Sequence, residues 1–143
     1  ALETDIGLAD LKKLASVVYP VRDVGATIAS GSFRTDGMIV VPCSVRTLAE
    51  IASGVTTTLL TRAADVTLKE RRRLVLMVRE TPLHLGHIRN MAAVTEMGAI
   101  VFPPNPAFYL KPGSVDDIVA NLAGRALDLL GFDSDIARWE GPA

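Results

Sequence analysis

Three short apolar runs of this sequence are each followed by side chains that could bind an anion or transfer a proton. These stretches are residues 42–47, 79–82 and 103–109. In the first, the hydroxyls of Ser44 and Thr47 and the amides of Val45 and Arg46 suit a phosphate or the polar edge of a ring at a positive helix end. A plain helix N-cap explains Ser44 equally well, because serine is a preferred cap with or without a ligand.

The second and third stretches offer a carboxylate and two aromatic rings. Arg79 and Glu80 are adjacent at a predicted strand end, where desolvation and pairing could tune the carboxylate for proton transfer. A solvated ion pair is the commoner outcome for such a dipeptide. The proline-rich third stretch carries Phe108 and Tyr109, which suit one wall of an apolar pocket, and ordinary loop packing explains them almost as well.

Further cations and possible metal ligands lie elsewhere in the sequence. The cations on predicted helices are Arg62, Lys69 and Arg125. If these three cations faced one crevice together, they would bind a phosphate. Each of them alone is more often a solvated surface residue. His84 and His87 have a spacing that can hold a metal, but no third ligand is near in sequence, and we expect no metal site. Cys43 has no evident histidine base, which favours a small packed side chain over a nucleophile.

Length and composition restrict the class of protein. The 143 residues suit one compact domain, and the formal net charge of −1 makes nucleic acid a poor candidate partner. No apolar run approaches the ~18 residues that cross a bilayer, and the N-terminus lacks the order of a signal peptide. We therefore expect a cytoplasmic protein with no membrane partner.

The elements that must position these residues alternate along the chain. Predicted strands cover residues 37–42, 74–78 and 99–102. Predicted helices include residues 8–18, the segment between Ser44 and Gly54, residues from near 83 to 97, and the segment between Ser114 and Gly131, and a further helical pattern between the first two strands carries Arg62 and Lys69. Such alternation predicts an α/β, doubly wound parallel sheet (Rossmann-like or flavodoxin-like) with helices on both faces. The three polar stretches should then share the carboxyl edge of the sheet.

Five collinear segments resemble the flavin prenyltransferase (UbiX-like) family of flavoproteins. They are residues 31–38, 41–44 with 47–48, 62–66 with 68–70, 78–83 and 106–109. The resemblance runs from about residue 3 to 131 and implies a flavoprotein domain at 1–131 followed by a tail at 132–143. The family's first strand, Gly-Ala-Ser-Gly phosphate loop, helix and second strand have no counterpart here. We therefore expect the chain to be the C-terminal part of the family domain, with the N-terminal βαβ unit missing.

The resemblance also implies roles for particular residues at a flavin site. It implies that Ser44, Val45, Arg46 and Thr47 hold FMN. Arg79 and Arg62 match further arginines of the same pocket.

A second set of implied roles concerns the prenyl donor and the protons. Tyr109 and Arg125 match the residues that bind the phosphate of dimethylallyl monophosphate, with Lys69 as a helper. Trp139 resembles, weakly, a tail aromatic that closes over the site. The candidate catalytic residues are Glu80, Glu3 and Ser44, the two glutamates matching acidic residues near the leaving phosphate and the reacting flavin edge.

The implied reaction transfers a dimethylallyl group from dimethylallyl monophosphate to N5 and C6 of reduced FMN. The product, prenylated FMN, serves UbiD-type decarboxylases, and relatives imply a homo-oligomer with a dodecamer as the candidate size. An FMN-dependent decarboxylase of the cysteine-decarboxylase type is a lower-ranked alternative, because residues 104–109 read Pro-Asn-Pro-Ala-Phe-Tyr rather than Pro-Ala-Met-Asn. A non-catalytic flavin-binding module is the other alternative.

Overall fold

The computed structural model describes residues 4–139 and residue 141. Its strands are β1 (Gly37–Cys43), β2 (Arg73–Val78) and β3 (Ile100–Val101). Its helices are α1 (Leu8–Lys13), α2 (Val45–Ser53), α3 (Leu59–Lys69), α4 (Leu85–Glu96) and α5 (Val115–Leu130), with short 3-10 turns at Thr27–Ala29 and Phe108–Leu110. Among the residues that the structure describes, no helix has the length and apolarity needed to span a bilayer.

The three strands form one parallel sheet in the order β1-β2-β3. Gly37 lies opposite Arg73, and Val75 lies opposite Ile100. At the other end, the N–H of Arg79 donates to the carbonyl of Cys43 at 3.3 Å, which holds the first residue beyond β2 beside the end of β1. The carboxyl ends of the strands therefore share one edge, as the alternation predicts.

Helices cover both faces of the sheet, and β2 shows why. Leu74, Leu76 and Val78 face a core made with α2, α3 and α4, whereas Val75 and Met77 face α5. Because successive strand residues point to opposite faces, a strand covered on both sides must be apolar throughout. The unbroken apolar run of β2 meets that requirement, and the doubly wound prediction is confirmed.

Most predicted helix ends are also confirmed. Ser44 Oγ accepts the N–H of Thr47 at 3.1 Å, and Ser114 Oγ accepts the N–H of Asp117 at 3.1 Å. These bonds satisfy amides that have no partner within the helix. Gly131 ends α5 with φ of 95°, a left-handed conformation that glycine adopts without steric cost.

Two predicted elements are longer than the observed ones. The apolar spacing predicts a first helix over residues 8–18, but α1 ends at Lys13. Its apolar side chains remain largely exposed, with Leu8 66% and Leu14 81% accessible. A helix this short gains little from its own hydrogen bonds, and its apolar stripe lacks the packing that would extend it. The third strand was predicted over residues 99–102, and only Ile100–Val101 is strand.

Cys43 illustrates how the fold controls a reactive group. Its side chain is entirely buried, and burial raises the pKa of the thiol to about 11. The favoured interpretation as a packed side chain is confirmed. The folded pKa of the thiol lies above its unfolded value of about 8.5. The contribution of the thiol to the free energy of unfolding is therefore complete below about pH 8.5 and is lost as the pH rises toward the folded pKa.

This burial predicts slow alkylation of Cys43. In the folded protein at pH 8, iodoacetamide should modify the thiol far more slowly than it modifies free cysteine, because the reactive thiolate is scarce and enclosed. Labelling followed by mass spectrometry measures the rate, and guanidinium-unfolded protein is the control that should react fully. Equal rates in the folded and unfolded protein would contradict the buried placement.

Candidate active site

Two pockets open where the strands end. The pocket that we call the Arg79 pocket, with a volume of about 340 Å³, lies between the end of β2 and the loop after β3. Its lining residues are Val78, Arg79, Glu80, Thr81, Pro103, Pro104 and Asn105. The Tyr109 pocket, also of about 340 Å³, lies between that loop, α5 and the tail. Its lining residues are Phe102, Asn105, Ala107, Tyr109, Leu110, Asn121, Leu122, Arg125, Ala137, Arg138 and Trp139.

Asn105 connects the two pockets, since it lines both of them. Its backbone N–H donates to the carbonyl of Pro103 at 2.8 Å, which tightens the loop after β3. The second and third polar stretches of the sequence therefore meet at one place. A ligand in one pocket would lie next to a ligand in the other.

The Arg79 pocket presents both charges at its surface. Arg79 and Glu80 are both exposed at the end of β2. The Oε1 atom of Glu80 accepts the N–H of Thr81 at 3.2 Å, which fixes the carboxylate beside the turn that leads into α4. This arrangement can donate hydrogen bonds from a guanidinium and exchange a proton through a carboxylate within one cleft.

The Tyr109 pocket combines a cation, a phenol and apolar walls. The rings of Tyr109 and Trp139 meet edge to face, with centroids 5.5 Å apart and planes at 86°. Arg125 projects from α5 into the same pocket, where its Nη1 lies 3.1 Å from Oδ2 of Asp128. A guanidinium and a phenol beside apolar surface suit a small phosphate ester with an apolar tail. The predicted pair Tyr109 and Arg125 is thus brought together.

Asp128 and Arg138 were not predicted as part of this region. Asp128 accepts hydrogen bonds from Arg138 Nη1 at 2.7 Å and from Ser134 Oγ at 2.5 Å. Arg138, and next Ser134, hold the pKa of the Asp128 carboxyl well below its usual range. The i, i+3 spacing of Arg125 and Asp128 was a signal available in the sequence. No pattern in the sequence indicates the contact between Asp128 and Arg138, because that contact depends on the path of the tail.

The residues at the start of α2 lie at the same sheet edge but line neither pocket. The hydroxyl of Ser44 caps the helix and also donates to Thr47 Oγ1 at 3.1 Å. The guanidinium of Arg46 turns along the helix, where Nε donates to Glu50 at 3.0 Å. Thr57 and then Arg46 lower the pKa of Glu50. The groups at this helix start that could bind a ligand at the sheet edge are therefore its first backbone amides, including that of Val45.

Two predicted cations lie away from both pockets. Arg62 donates from Nε to the carbonyl of Ala29 at 3.2 Å and from Nη1 to Asp65 at 2.7 Å. Lys69 pairs with Glu70 at the end of α3, close to where β2 begins. Because β2 extends about 3.3 Å per residue, Lys69 and Arg79 lie at opposite ends of a strand roughly 20 Å long. Glu3 lies outside the described residues.

The histidine pair is part of a helix start. Nδ1 of His84 accepts the N–H of Gly86 at 3.0 Å, and the ring stacks on His87 with centroids 3.6 Å apart. Within residues 4–139 and at 141, no group of three or more His, Cys, Asp or Glu side chains is placed to hold a metal ion.

The chain is similar to proteins of known family. Residues 7–127 match the family model described as Flavoprotein. The chain is 59% identical over 144 residues to the flavin prenyltransferase UbiX of Neisseria meningitidis, an alignment that covers 100% of this chain and 76% of the relative.

Two solved structures are also similar to the chain along almost its whole length. The structure of AnUbiX (PadA1) in complex with FMN and dimethylallyl pyrophosphate superposes with a TM-score of 0.96 at 54% identity, covering 99% of this chain and 76% of the other. A dodecameric FMN-dependent UbiX-like decarboxylase from Escherichia coli O157:H7 superposes with a TM-score of 0.95 at 50% identity, covering 98% and 76%.

Proposed function

The chain belongs to the flavin prenyltransferase family of flavoproteins, and from this premise we propose that it transfers a dimethylallyl group from dimethylallyl monophosphate to reduced FMN. The observation that carries the proposal is the meeting of two pockets at Asn105, which lets a flavin ring and a prenyl phosphate lie side by side. A relative of 54% identity was crystallised with FMN and dimethylallyl pyrophosphate together.

The Tyr109 pocket is the place for the prenyl phosphate. Arg125 and the hydroxyl of Tyr109 donate to the phosphate, and Leu122 and Trp139 contact the five-carbon chain. An allyl group leaves phosphate most easily when the departing charge is held by fixed donors and water is excluded. The walls of this pocket supply the donors, while Tyr109 and Trp139 remain 63% and 61% exposed, so water is excluded only once the prenyl donor is bound.

The Arg79 pocket is the place for the reacting part of the flavin. Its lining offers the guanidinium of Arg79, the amide of Asn105 and the flat faces of Pro103 and Pro104, which fit a planar ring with polar edges. The first amides of α2 lie at the same sheet edge and can bind further flavin atoms, which retains the proposed roles of Ser44–Thr47 as a group.

The reaction moves several protons within a small space. In the first step, the allyl C–O bond breaks as flavin N5 bonds to the allyl carbon, and N5 loses its proton. In the second step, the alkene of the attached prenyl group takes up a proton. Flavin C6 then bonds to the resulting cationic carbon, which closes the ring, and C6 loses its proton. Prenylated FMN and inorganic phosphate result. A group that both accepts and donates protons is needed next to both ligands, and Glu80, on the wall of the Arg79 pocket, is the residue that we assign to it.

Assembly would bring further cations to the site. We assign a homo-oligomeric state, and the Escherichia coli O157:H7 relative is described as dodecameric. Lys69 lies at the far end of β2 from the pockets, so its proposed help with the phosphate requires a neighbouring copy of the chain. Arg62 is subject to the same requirement. Delivery of the product to a UbiD-type decarboxylase and a cytoplasmic location belong to the same proposal.

An anaerobic assay tests the proposed function. The protein is mixed with reduced FMN and dimethylallyl monophosphate, and flavin mass and phosphate release are followed. The proposal predicts a flavin heavier by one prenyl unit and an equal amount of phosphate, with neither formed when the prenyl donor is omitted. Bound flavin of unchanged mass would instead support a binding module.

A further inference from the structure

The tail after α5 turns back and is bonded along that helix. Ser134 Oγ lies 3.0 Å from the carbonyl oxygen of Gly124, and the side-chain amide of Asn121 donates to the carbonyl of Ala137 at 3.1 Å. Ile136 lies so close to Gly124 that a Cβ added to that glycine would stand 2.3 Å from it. The tail is therefore fitted to α5 rather than extending into solvent.

Asp128 is the charged centre of this attachment. Its Oδ2 atom accepts Arg138 Nη1 at 2.7 Å and Arg125 Nη1 at 3.1 Å, while Oδ1 accepts the hydroxyl of Ser134 at 2.5 Å. The Asp128 side chain is only 13% exposed. One carboxylate thus joins the arginine assigned to the prenyl phosphate with the residue that precedes Trp139.

The attachment sets the position of Trp139. The indole follows Arg138 directly and lies perpendicular to the ring of Tyr109, where it forms part of the wall of the Tyr109 pocket. A single ring pair holds a segment weakly, whereas several hydrogen bonds to one charged group limit its freedom. The bonds to Asp128 are the charged contacts among those that attach this segment, and they lie directly before the indole.

We propose that Asp128 is a positioning residue that fastens the tail through Arg138 and Ser134, so that Trp139, itself 61% exposed, stays on the wall of the prenyl pocket and limits the access of water to the bound donor. This inference rests on the proposed function. When the tail is released, water can attack the allyl carbon as phosphate leaves, which gives phosphate and a five-carbon alcohol without any change in the flavin. Loss of Asp128 should therefore uncouple phosphate release from flavin prenylation.

The test uses Trp139 itself, because it is the only tryptophan in the sequence. In Asp128→Asn, the anisotropy of its emission should fall, because the ring is already 61% exposed and loses its fixed place against Tyr109. The ratio of held to released tail should fall about tenfold, as expected for the loss of one charged hydrogen bond. Phosphate released per prenylated flavin should rise above one. A general structural defect would lower both products together and leave their ratio at one.

Two further variants keep the test decisive. Arg138→Gln removes the same contact from the tail side and leaves α5 unchanged, so it replaces Asp128→Asn should that variant fail to fold. Asp133→Asn is the matched control. Asp133 is another carboxylate of the same tail that contacts Arg138, but its side chain is fully exposed and the contact, at 3.4 Å, is long and weak. It should behave as the unmodified protein does.

The outcomes separate this inference from the proposed function. Should the anisotropy of Trp139 emission respond to Asp128→Asn while the unmodified protein prenylates no FMN, the attachment stands and the function fails. Should the anisotropy of Trp139 emission and the phosphate-to-flavin ratio stay unchanged in both folded variants, the positioning role of Asp128 is overturned.

Discussion

Replacement of Arg125 by alanine is expected to lower kcat/KM for dimethylallyl monophosphate by about 10²-fold, mainly through a higher KM. A hydrogen bond to a charged group contributes about 1.5–3 kcal/mol, which corresponds to roughly a 10- to 150-fold change. Arg125 lines the Tyr109 pocket and is held by Asp128 at 3.1 Å, so its guanidinium is oriented before the phosphate arrives. Steady-state kinetics with varied prenyl phosphate measures the effect.

Two further variants serve as controls for the Arg125→Ala measurement. Arg89→Ala removes an exposed helical arginine that lines neither pocket and should leave kcat/KM unchanged. Arg125→Lys keeps the charge but not the two-pronged donor geometry, so it should recover only part of the loss. Unchanged use of the prenyl phosphate by Arg125→Ala would show that the phosphate binds elsewhere.

Replacement of Glu80 by glutamine should instead lower kcat, by about 10² to 10⁴, the range that a positioned acid or base contributes. Glutamine keeps the shape and the hydrogen-bond acceptor that Thr81 uses, but it cannot take up or deliver a proton. KM for the prenyl phosphate should change little, because Glu80 lines the Arg79 pocket and not the Tyr109 pocket. Single-turnover kinetics under anaerobic conditions measures the chemical steps.

A matched glutamate provides the control for that experiment. Glu96, the last residue of α4, is exposed and lies outside both pockets. Glu96→Gln should therefore have the kinetics of the unmodified protein. A Glu80→Gln variant with an unchanged rate of flavin prenylation would remove Glu80 from the proton transfers.

Local patterns in the sequence predict the frame of the site well. The unbroken apolar run of β2 requires cover on both faces, and that alone places Arg79 and Glu80 at a sheet edge. Ser44 and Gly131 mark helix ends because their preferences act within a few residues. Such signals depend on near neighbours in the chain, which a single sequence contains in full.

The parts that local patterns miss depend on distant contacts. The helper role proposed for Lys69 shows this, because the length of α3 carries it to the opposite end of β2 and the role then depends on a neighbouring copy of the chain. The apolar spacing of residues 8–18 predicts a longer helix than α1, because spacing does not reveal whether a surface exists to pack against. The contact between Asp128 and Arg138 follows from the chain reversal at Gly131, which no periodicity records.

The central claim is that a flavin ring and a prenyl phosphate occupy adjoining pockets that meet at Asn105. Diffraction from crystals of the protein grown with oxidised FMN and dimethylallyl monophosphate tests it most directly. We expect electron density for the ring against Arg79 and for the phosphate between Tyr109 and Arg125, with the five-carbon chain pointing across Asn105 toward N5. Density for either ligand at a separate surface, with the space around Asn105 filled only by water, would contradict the claim.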